Sequence, residues 1–163
     1  MIFVTVGSQM AFDRLIRAVD QWAAARIDRV DVLAQVGQGA YATKAIRTVH
    51  SLTPAQFRQA CEDADVVVAH AGMGSVLTAL ELGRPIVLLP RRGELQETRN
   101  DHQLATARWL ATRQGVLVAE HEDQLAGLIE KALVLRAAPM AISSQASATL
   151  LGALDQFIAG GLA

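Results

Sequence analysis

The sequence predicts an α/β fold: a Rossmann-like parallel sheet with helices on both faces, forming one domain over residues 1–163. Short apolar runs alternate with segments in which apolar residues recur at helical spacing, a pattern typical of βαβ units. The run at residues 65–69 is almost purely apolar, as expected of a parallel strand that is covered on both faces. The length suits one compact domain, and no linker or internal repeat divides the chain.

The individual elements follow from this pattern. Apolar runs predict strands at residues 2–6, 30–36, 65–69, 85–89 and 116–118, and the alternation of Ile46 and Val49 predicts a further strand at residues 45–50. Helical periodicity predicts a first helix of about four turns that begins near Phe12. Periodicity and capping residues predict further helices from Thr53 onward, at residues 72–82, from about 101 to 112, from near Glu122 and at residues 143–158. Thr53 is a favourable N-cap, and Pro54 suits the first position of the helix that follows it.

Composition and charge exclude several classes of function. The formal net charge is −1, which leaves no electrostatic footprint for nucleic acid. Cys61 is the only cysteine, so no intramolecular disulfide can form, a cytoplasmic setting is expected, and a packing role is predicted for the thiol. No stretch approaches the ~20 apolar residues of a membrane helix. The four histidines show no metal-ligand spacing, so we expect neither a metal nor a cofactor.

Ligands of parallel sheets bind beyond the carboxyl ends of the strands, which directs attention to the loop after residues 65–69. This loop reads His-Ala-Gly-Met-Gly-Ser at residues 70–75 and runs into a predicted helix. Gly72 and Gly74 let a ligand approach the backbone closely, and amides at a helix N-terminus attract anions. Ser75 adds a hydroxyl donor, so a diphosphate is the natural ligand. A turn in which Ser75 only caps the helix explains the same residues, and both interpretations stay open at this point.

The loop after the first strand has the same arrangement, with Gly7 and Ser8 between a strand and a helix. It can offer a hydroxyl and backbone amides to the same phosphate, although an ordinary N-cap explains Ser8 as well. Two such loops at one edge of the sheet favour a ligand more than either loop alone.

The polar loop after residues 85–89 is long for an α/β connection, and such loops are usually functional or disordered. Asp101 and Gln103 can hydrogen-bond vicinal sugar hydroxyls, and Arg91 can reach a phosphate. The alternative is a solvated loop in which Asn100 or Asp101 caps the next helix.

Four sequence blocks in this order resemble one known family. They are Val-Thr-Val-Gly-Ser with Phe-Asp-Arg-Leu-Ile at residues 4–16, Ala-His-Ala-Gly-Met-Gly-Ser at 69–75, Gly-Arg-Pro-Ile-Val-Leu-Leu-Pro-Arg at 83–91, and Asn-Asp-His-Gln at 100–103. Together they resemble the C-terminal, donor-binding domain of GT-B glycosyltransferases typified by the peptidoglycan N-acetylglucosaminyltransferase. The resemblance covers about residues 1–133 and is greatest to the stand-alone small subunits of two-component bacterial exopolysaccharide glycosyltransferases. It implies a single nucleotide-sugar-binding domain whose donor is a UDP-sugar.

The resemblance also implies a role for each matching position. The Gly7–Ser8 loop and the turn at residues 72–75 would face the diphosphate, and residues 101–103 would face the donor sugar. Thr78 stands where the peptidoglycan enzyme has a Glu that binds the ribose hydroxyls, and like Glu97 it resembles the exopolysaccharide branch. The predicted substrate-binding residues are Gly7, Ser8, Gly72, Met73, Gly74, Ser75, Thr78, Arg91, Glu97, Asn100, Asp101, His102 and Gln103.

The implied reaction is displacement at the anomeric carbon with inversion, in which helix-terminal amides, hydroxyls and Arg91 stabilise the departing diphosphate without a metal. The general base is expected from a membrane-anchored, acceptor-binding partner subunit; His70 is the local candidate, although a His at a strand end is more often structural. The acceptor would be a lipid-linked saccharide, and the partner would hold this chain at the inner face of the membrane. The helix at residues 143–158 either docks on that partner or closes the domain's own core.

Two other functions stay open from the sequence. One is a non-catalytic, nucleotide-sugar-binding regulatory subunit, and the other is half of a sugar-nucleotide epimerase, which shares the GT-B arrangement. A homo-oligomer of the isolated chain is also compatible with the sequence. The residues do not distinguish glucuronic acid, galactose and N-acetylglucosamine as the donor sugar.

Overall fold

The computed structural model describes residues 1–8, 10–98 and 102–136, and this part of the chain confirms the predicted α/β fold. The strands are β1 (Ile2–Thr5), β2 (Val32–Gln35), β3 (Arg47–Val49), β4 (Val66–Ala69), β5 (Ile86–Leu88) and β6 (Val116–Val118). The helices are α1 (Asp13–Ala24), α2 (Pro54–Asp63), α3 (Met73–Glu81), α4 (His102–Leu110) and α5 (Leu125–Leu135), with 3₁₀ turns at Gly93–Leu95 and Glu122–Gln124. The helix predicted at residues 143–158 lies outside the described residues. Of the helices described, none combines the length and the apolar character that a membrane crossing requires.

The described strands form one parallel sheet in the order β3-β2-β1-β4-β5-β6. The chain builds outward from β1 to β3, crosses back, and continues from β4 to β6 on the other side of β1. In the register of the two central strands, Thr5 at the end of β1 pairs with Ala69 at the end of β4. The loops that leave these strands therefore begin side by side, at the switch point where ligands of such sheets bind.

Two apolar layers cover the two faces of the sheet. Successive strand residues point to opposite faces, so Ile2 and Val4 of β1 pack in the layer formed with α1 and α5, while Phe3 packs in the layer formed with α2, α3 and α4. β4 divides in the same way, with Val68 in the first layer and Val67 in the second. Because both faces are covered, the central strands read as continuous apolar runs.

Helix α2 confirms the predictions made from its sequence. The Thr53 hydroxyl accepts a hydrogen bond from the backbone N–H of Gln56, and the Gln56 side chain accepts one from the backbone N–H of Thr53, which is a capping box. Pro54 occupies the first helical position. Cys61 is fully buried in the second apolar layer, where burial raises the pKa of its thiol to about 12. The thiol is thus a packing group, as predicted.

Several elements are shorter than the apolar pattern predicts. β2 and β3 are each trimmed at both ends relative to residues 30–36 and 45–50. Helix α1 spans 12 residues, about three turns rather than four. The physical reason is that burial continues past the last regular hydrogen bond: Val6 and Phe12 lie outside β1 and α1, yet each is only 1% exposed. Apolar residues therefore mark the core better than they mark element ends.

A buried carboxylate fastens the connection between β2 and β3 to α1. Asp20 is 2% exposed and accepts hydrogen bonds from the Tyr41 hydroxyl at 3.0 Å, from the backbone N–H of Lys44 at 3.1 Å and from that of Ala45 at 2.8 Å. Buried polar groups are stable only when they are paired in this way. The conformation of this connection therefore depends on a side chain of α1.

We expect Asp20→Ala to lower the free energy of unfolding by about 2–3 kcal/mol, because two backbone donors and a hydroxyl lose their buried acceptor. Tyr41→Phe is the matched control, since it removes one donor and leaves the carboxylate bound to the backbone; a loss of about 1 kcal/mol is expected. Urea denaturation measures both values. Equal losses in the two variants would show that the backbone contacts of Asp20 contribute nothing.

Candidate functional site

A cavity of about 390 Å³ opens at the carboxyl edge of the sheet, where the loops after β1, β4 and β5 meet. Eight residues predicted for the site line it: Gly7, Ser8, His70, Gly72, Gly74, Ser75, Arg91 and Gln103. Three residues that were not predicted for the site also line the cavity: Val6, Met10 and Thr98. These three carry no special chemistry that a sequence pattern reveals. The structure thus brings the three predicted loops to one cavity.

The N-terminus of α3 supplies unpaired donors at this cavity. Gly72 is the N-cap residue and has no side-chain cap, and the first backbone bond of the helix runs from Val76 N–H to the Gly72 carbonyl at 3.2 Å. Within the described residues, the backbone N–H groups of Met73, Gly74 and Ser75 have no acceptor. Ser75 is the third residue of the helix, so the alternative in which it acts as the helix cap is wrong. Unpaired amides and the helix dipole together favour an anion here.

Two glycines make room for the imidazole of His70. A Cβ atom on Gly72 would lie 2.2 Å from His70 Nε2, and one on Gly7, whose φ is +79°, would lie 2.6 Å from His70 Cε1. Both distances are shorter than real Cβ contacts, so a side chain at either position would require the His70 imidazole to move. Gly74 differs from them, because a Cβ there would meet nothing within 4 Å. The protein itself therefore gives no steric reason for Gly74, and the space beside it is open.

The environment of His70 makes its imidazole neutral. Burial lowers its pKa to about 4, and the positive charge of Arg91 contributes in the same direction. Within the described residues, the buried Nδ1 atom has no hydrogen-bond partner. A group with so low a pKa is a weak proton acceptor at neutral pH. The catalytic role of His70 stays a prediction, and this environment does not favour it.

Arg91 lines the cavity, but its terminal nitrogens point to backbone carbonyls. The guanidinium is buried, with the residue 4% exposed, and it donates to the carbonyls of Val6, Met10, Ala11 and Glu97 at 2.6–3.1 Å. A phosphate could contact these nitrogens only by replacing those bonds. Through these bonds Arg91 connects the loop after β1 to the loop after β5. The same bonds disfavour the predicted contact between Arg91 and a phosphate.

The Glu97 carboxylate is also engaged inside the protein. Arg14 donates to its two oxygens at 2.8 Å each, and the backbone N–H of Arg92 donates to Oε2 at 3.0 Å. The predicted contact between Glu97 and substrate would compete with these bonds. The partner Arg14 was not predicted, because 83 residues separate it from Glu97 and no local pattern connects the two.

Gln103 and Thr78 lie at opposite sides of the α3 N-terminus. The Oε1 atom of Gln103 accepts a hydrogen bond from the backbone N–H of Arg91 at 3.1 Å, which leaves its NH₂ group for other partners. Thr78 lies in a second hollow of about 480 Å³, where its hydroxyl donates to the Gly74 carbonyl at 2.9 Å. Residues shared by both hollows are Gly7, Ser8, Gly74 and Ser75. The two hollows therefore adjoin at the α3 N-terminus, and we refer to them together as the groove.

The remaining predicted residues are only partly described. Met73 is the exposed first residue of α3. Asn100 and Asp101 lie outside the described residues, and of His102 only the backbone, at the start of α4, is described.

The sequence is similar to that of one known protein family and of several known proteins. The sequence model described as "Glycosyltransferase family 28 C-terminal domain" matches residues 1–157. The mouse protein "UDP-N-acetylglucosamine transferase subunit ALG13" is 33% identical over 118 residues, which is 66% of this chain and 10% of that protein. The human protein of the same name is 32% identical over 121 residues, 67% of this chain and 10% of that protein. The chain therefore spans about a tenth of the length of these curated relatives.

Solved structures show the same fold at lower sequence identity. MurG from Acinetobacter baumannii superposes with a TM-score of 0.60 at 18% identity, covering 83% of this chain and 41% of that chain. The spinosyn forosaminyltransferase SpnP superposes with a TM-score of 0.58 at 20% identity, covering 81% of this chain and 35% of that chain. In each case this chain matches part of a larger glycosyltransferase, which identifies the GT-B half-domain fold.

We expect Gly72→Ala to lower the free energy of unfolding by about 1–3 kcal/mol, because the added methyl group overlaps the imidazole of His70. Gly74→Ala is the matched control in the same turn, and it should not destabilise the protein, because its methyl group meets no atom. In the double variant Gly72→Ala/His70→Ala, the second change removes the overlapping ring and should recover part of the loss. Independent, additive losses in a double-mutant cycle would contradict the packing described for His70.

We expect the His70 imidazole to stay neutral from pH 8 down to about pH 5 and to titrate with a midpoint of about 4. Since the unfolded chain binds this proton near pH 6.5, the folded state should lose stability as the pH falls from about 6.5 towards 4. Long-range ¹H–¹⁵N correlation spectra of the histidine rings measure the midpoint. A His70→Gln variant should lose less stability over the same range, and a midpoint near 6.5 would contradict the buried environment.

Proposed function

The chain belongs to the family of glycosyltransferase family 28 C-terminal domains, and from that membership we propose that it binds a UDP-sugar and forms the donor half of an inverting glycosyltransferase. In this proposal the enzyme moves the sugar to a lipid-linked saccharide in exopolysaccharide biosynthesis. The groove described above is the donor site. Gly7, Ser8 and the α3 N-terminus face the diphosphate, and Gln103 faces the sugar.

One observation carries the proposal: the backbone amides of Met73, Gly74 and Ser75 have no acceptor among the described residues and lie beside the Gly7–Ser8 loop. Unpaired amides at a helix N-terminus form a ready anion site. Gly74 also supports an anion site here, because the open space beside it lets a ligand approach the backbone. A diphosphate provides the charge and the several acceptor oxygens that such an array of donors requires.

The same donors explain how the site would accelerate transfer. As the acceptor hydroxyl attacks the anomeric carbon, the bond from that carbon to the diphosphate oxygen breaks, and its electron pair stays on the departing UDP. Negative charge then grows beside the α3 amides and the hydroxyls of Ser8 and Ser75. Donors that are already oriented stabilise this charge without reorganising, which is the largest single contribution in many enzymes.

The proton of the acceptor hydroxyl requires a base, and we propose that a membrane-anchored, acceptor-binding partner supplies it. The low pKa of His70 supports a base outside this domain. The curated relatives are named as subunits, which supports a partner chain. In this proposal the partner holds the domain at the cytoplasmic face of the membrane.

Gly74→Ala tests the site without disturbing the fold. We expect it to weaken UDP binding at least tenfold, because its methyl group occupies the space that the diphosphate needs, while helix propensity raises stability by up to about 1 kcal/mol. Isothermal titration calorimetry with UDP, followed by a panel of UDP-sugars, measures the effect.

Gly127→Ala is the matched control for this experiment. Gly127 also lies in the first turn of a helix, α5, and a Cβ there meets nothing within 4 Å. This variant should gain similar stability and bind UDP as the wild type does. If the wild type binds no UDP, or if Gly74→Ala binds it unchanged, the proposed donor site is wrong.

A further inference from the structure

A cluster of charged side chains lies directly behind the proposed donor site. We name Arg14, Arg91 and Glu97 the clasp. Arg14 belongs to α1, and the other two belong to the loop between β5 and α4. Arg91 is 4% exposed, and the side chains of Arg14 and Glu97 are each 12% exposed. Buried charges are costly unless they are paired. The partners of these three side chains therefore show which segments the clasp connects.

The side chain of Arg91 grips the loop after β1 at both of its ends. Its guanidinium donates to the carbonyl of Val6 at 2.7 Å, where the loop begins, and to those of Met10 at 2.7 Å and Ala11 at 2.6 Å, where it ends. Gly7 and Ser8 lie between these points, and both line the cavity. The Gly7 backbone N–H also donates to Thr5 Oγ1 at 3.1 Å, so the Arg91 guanidinium holds the two ends of the loop while Thr5 holds Gly7 itself.

The backbone of the same residue holds the other side of the cavity. The N–H of Arg91 donates to Gln103 Oε1 at 3.1 Å, which orients the side-chain amide of that residue. The side chain of Arg91 thus contacts the loop that we propose for the diphosphate. The backbone of Arg91 contacts Gln103, the residue that we propose for the sugar. One residue therefore links these two parts of the groove.

The pair of Arg14 and Glu97 fixes the segment from which Arg91 projects. The two side chains share a two-point ion pair, and Glu97 also accepts from the backbone N–H of Arg92. Arg14 donates in addition to the carbonyl of Pro90 at 3.0 Å and to Glu122 at 2.9 Å. The residues on both sides of Arg91 are therefore tied to α1 and to the turn before α5.

The aromatic ring of Phe12 completes the arrangement. The Arg91 guanidinium carbon lies 4.6 Å from the ring centroid and that of Arg14 lies 5.2 Å from it, both within the range of cation–π attraction. Phe12 is 1% exposed. A planar guanidinium can stack on this ring and donate to several carbonyls at once, whereas the ammonium of a lysine cannot do both.

We propose that Arg91 is a positioning residue, and that the clasp holds the Gly7–Ser8 loop and Gln103 at the spacing at which both meet one nucleotide-sugar. This inference rests on the proposed function and adds to it a residue that acts without touching the ligand. The clasp reduces the ordering that binding would otherwise require, which is how preorganisation raises affinity.

The test is Arg91→Lys, which keeps the charge and removes the planar fork. We expect UDP to bind about tenfold more weakly, whereas uridine, which lacks the phosphates, should bind as it does to the wild type. Backbone amide spectra should show shifted signals for Gly7 and Ser8 in the unliganded variant. Calorimetry measures the affinity for UDP, and titrations followed by ¹H–¹⁵N spectra measure the weaker affinity for uridine.

Arg84→Lys is the matched control at the opposite end of the same strand. Arg84 precedes β5, and its guanidinium donates to the backbone carbonyl of Glu62. This variant should lose stability without changing either affinity or the Gly7 and Ser8 signals. Thermal unfolding of both variants shows whether the comparison is made at similar stability. If Arg91→Lys does not fold, Arg14→Lys, which breaks the two-point pair with Glu97, takes its place under the same criteria.

The outcomes separate this inference from the proposed function. A wild-type protein that binds no UDP would contradict the proposed function itself. If the wild type binds UDP and Arg91→Lys binds it within twofold of the wild type, the donor site stands and the positioning role is wrong. An equal loss of UDP affinity in Arg84→Lys, or an equal loss of uridine affinity in Arg91→Lys, would also overturn the inference, because general destabilisation would then explain the effect.

Discussion

The parallel pairing of β1 with β4 is the constraint on which the candidate site depends. It places Thr5 beside Ala69, so that the loops leaving both strands must share the same small volume. The imidazole of His70 fills part of that volume, so a side chain at Gly7 or at Gly72 would have to displace this ring. What is left open is the space in front of the α3 N-terminus. The pairing of two buried strands thus brings the loops of the groove together, and the contacts of Arg91 then hold them.

The buried cation beside this groove bonds to the protein backbone and leaves neutral groups to face a ligand. Arg91, which lines the cavity, gives its terminal nitrogens to backbone carbonyls, and Arg58, which lines the second hollow, pairs with Glu62 and Glu81. Among the described residues, the backbone amides at the α3 N-terminus are neutral donors that have no acceptor in the protein. The positive charge of Arg91 still acts at a distance, since it contributes with burial to the low pKa of His70. Fixed dipoles backed by a buried cation suit the leaving group of the proposed transfer, because neither the dipoles nor the cation would have to move as negative charge develops.

Local patterns predicted the fold and much of the site's composition. The apolar runs identified the central strands because both faces of the sheet are covered there, whereas the more exposed β3 was predicted from alternation. The glycines and serines of two loops identified the edge where the cavity lies. The sequence did not distinguish Ser75 as a helix cap from Ser75 as a ligand donor, which depends on where α3 begins. The substrate roles of Arg91 and Glu97 stay predictions; in the fold, Arg91 donates mainly to carbonyls of the loop after β1, and Glu97 accepts from Arg14 of α1 and from the backbone N–H of Arg92. The pair of Arg14 and Glu97 joins residues 83 positions apart, so no periodicity or capping rule could have revealed it.

The sequence by itself determined the order and type of the elements and the presence of anion-attracting turns after two strands, because periodicity and turn chemistry are properties of neighbouring residues. Only the tertiary structure decided which loops meet, which amides stay unpaired and where each guanidinium points. These features depend on strand order and on contacts between distant segments. A polar side chain can bind a ligand or a backbone carbonyl, and the fold decides which of the two lies within its reach.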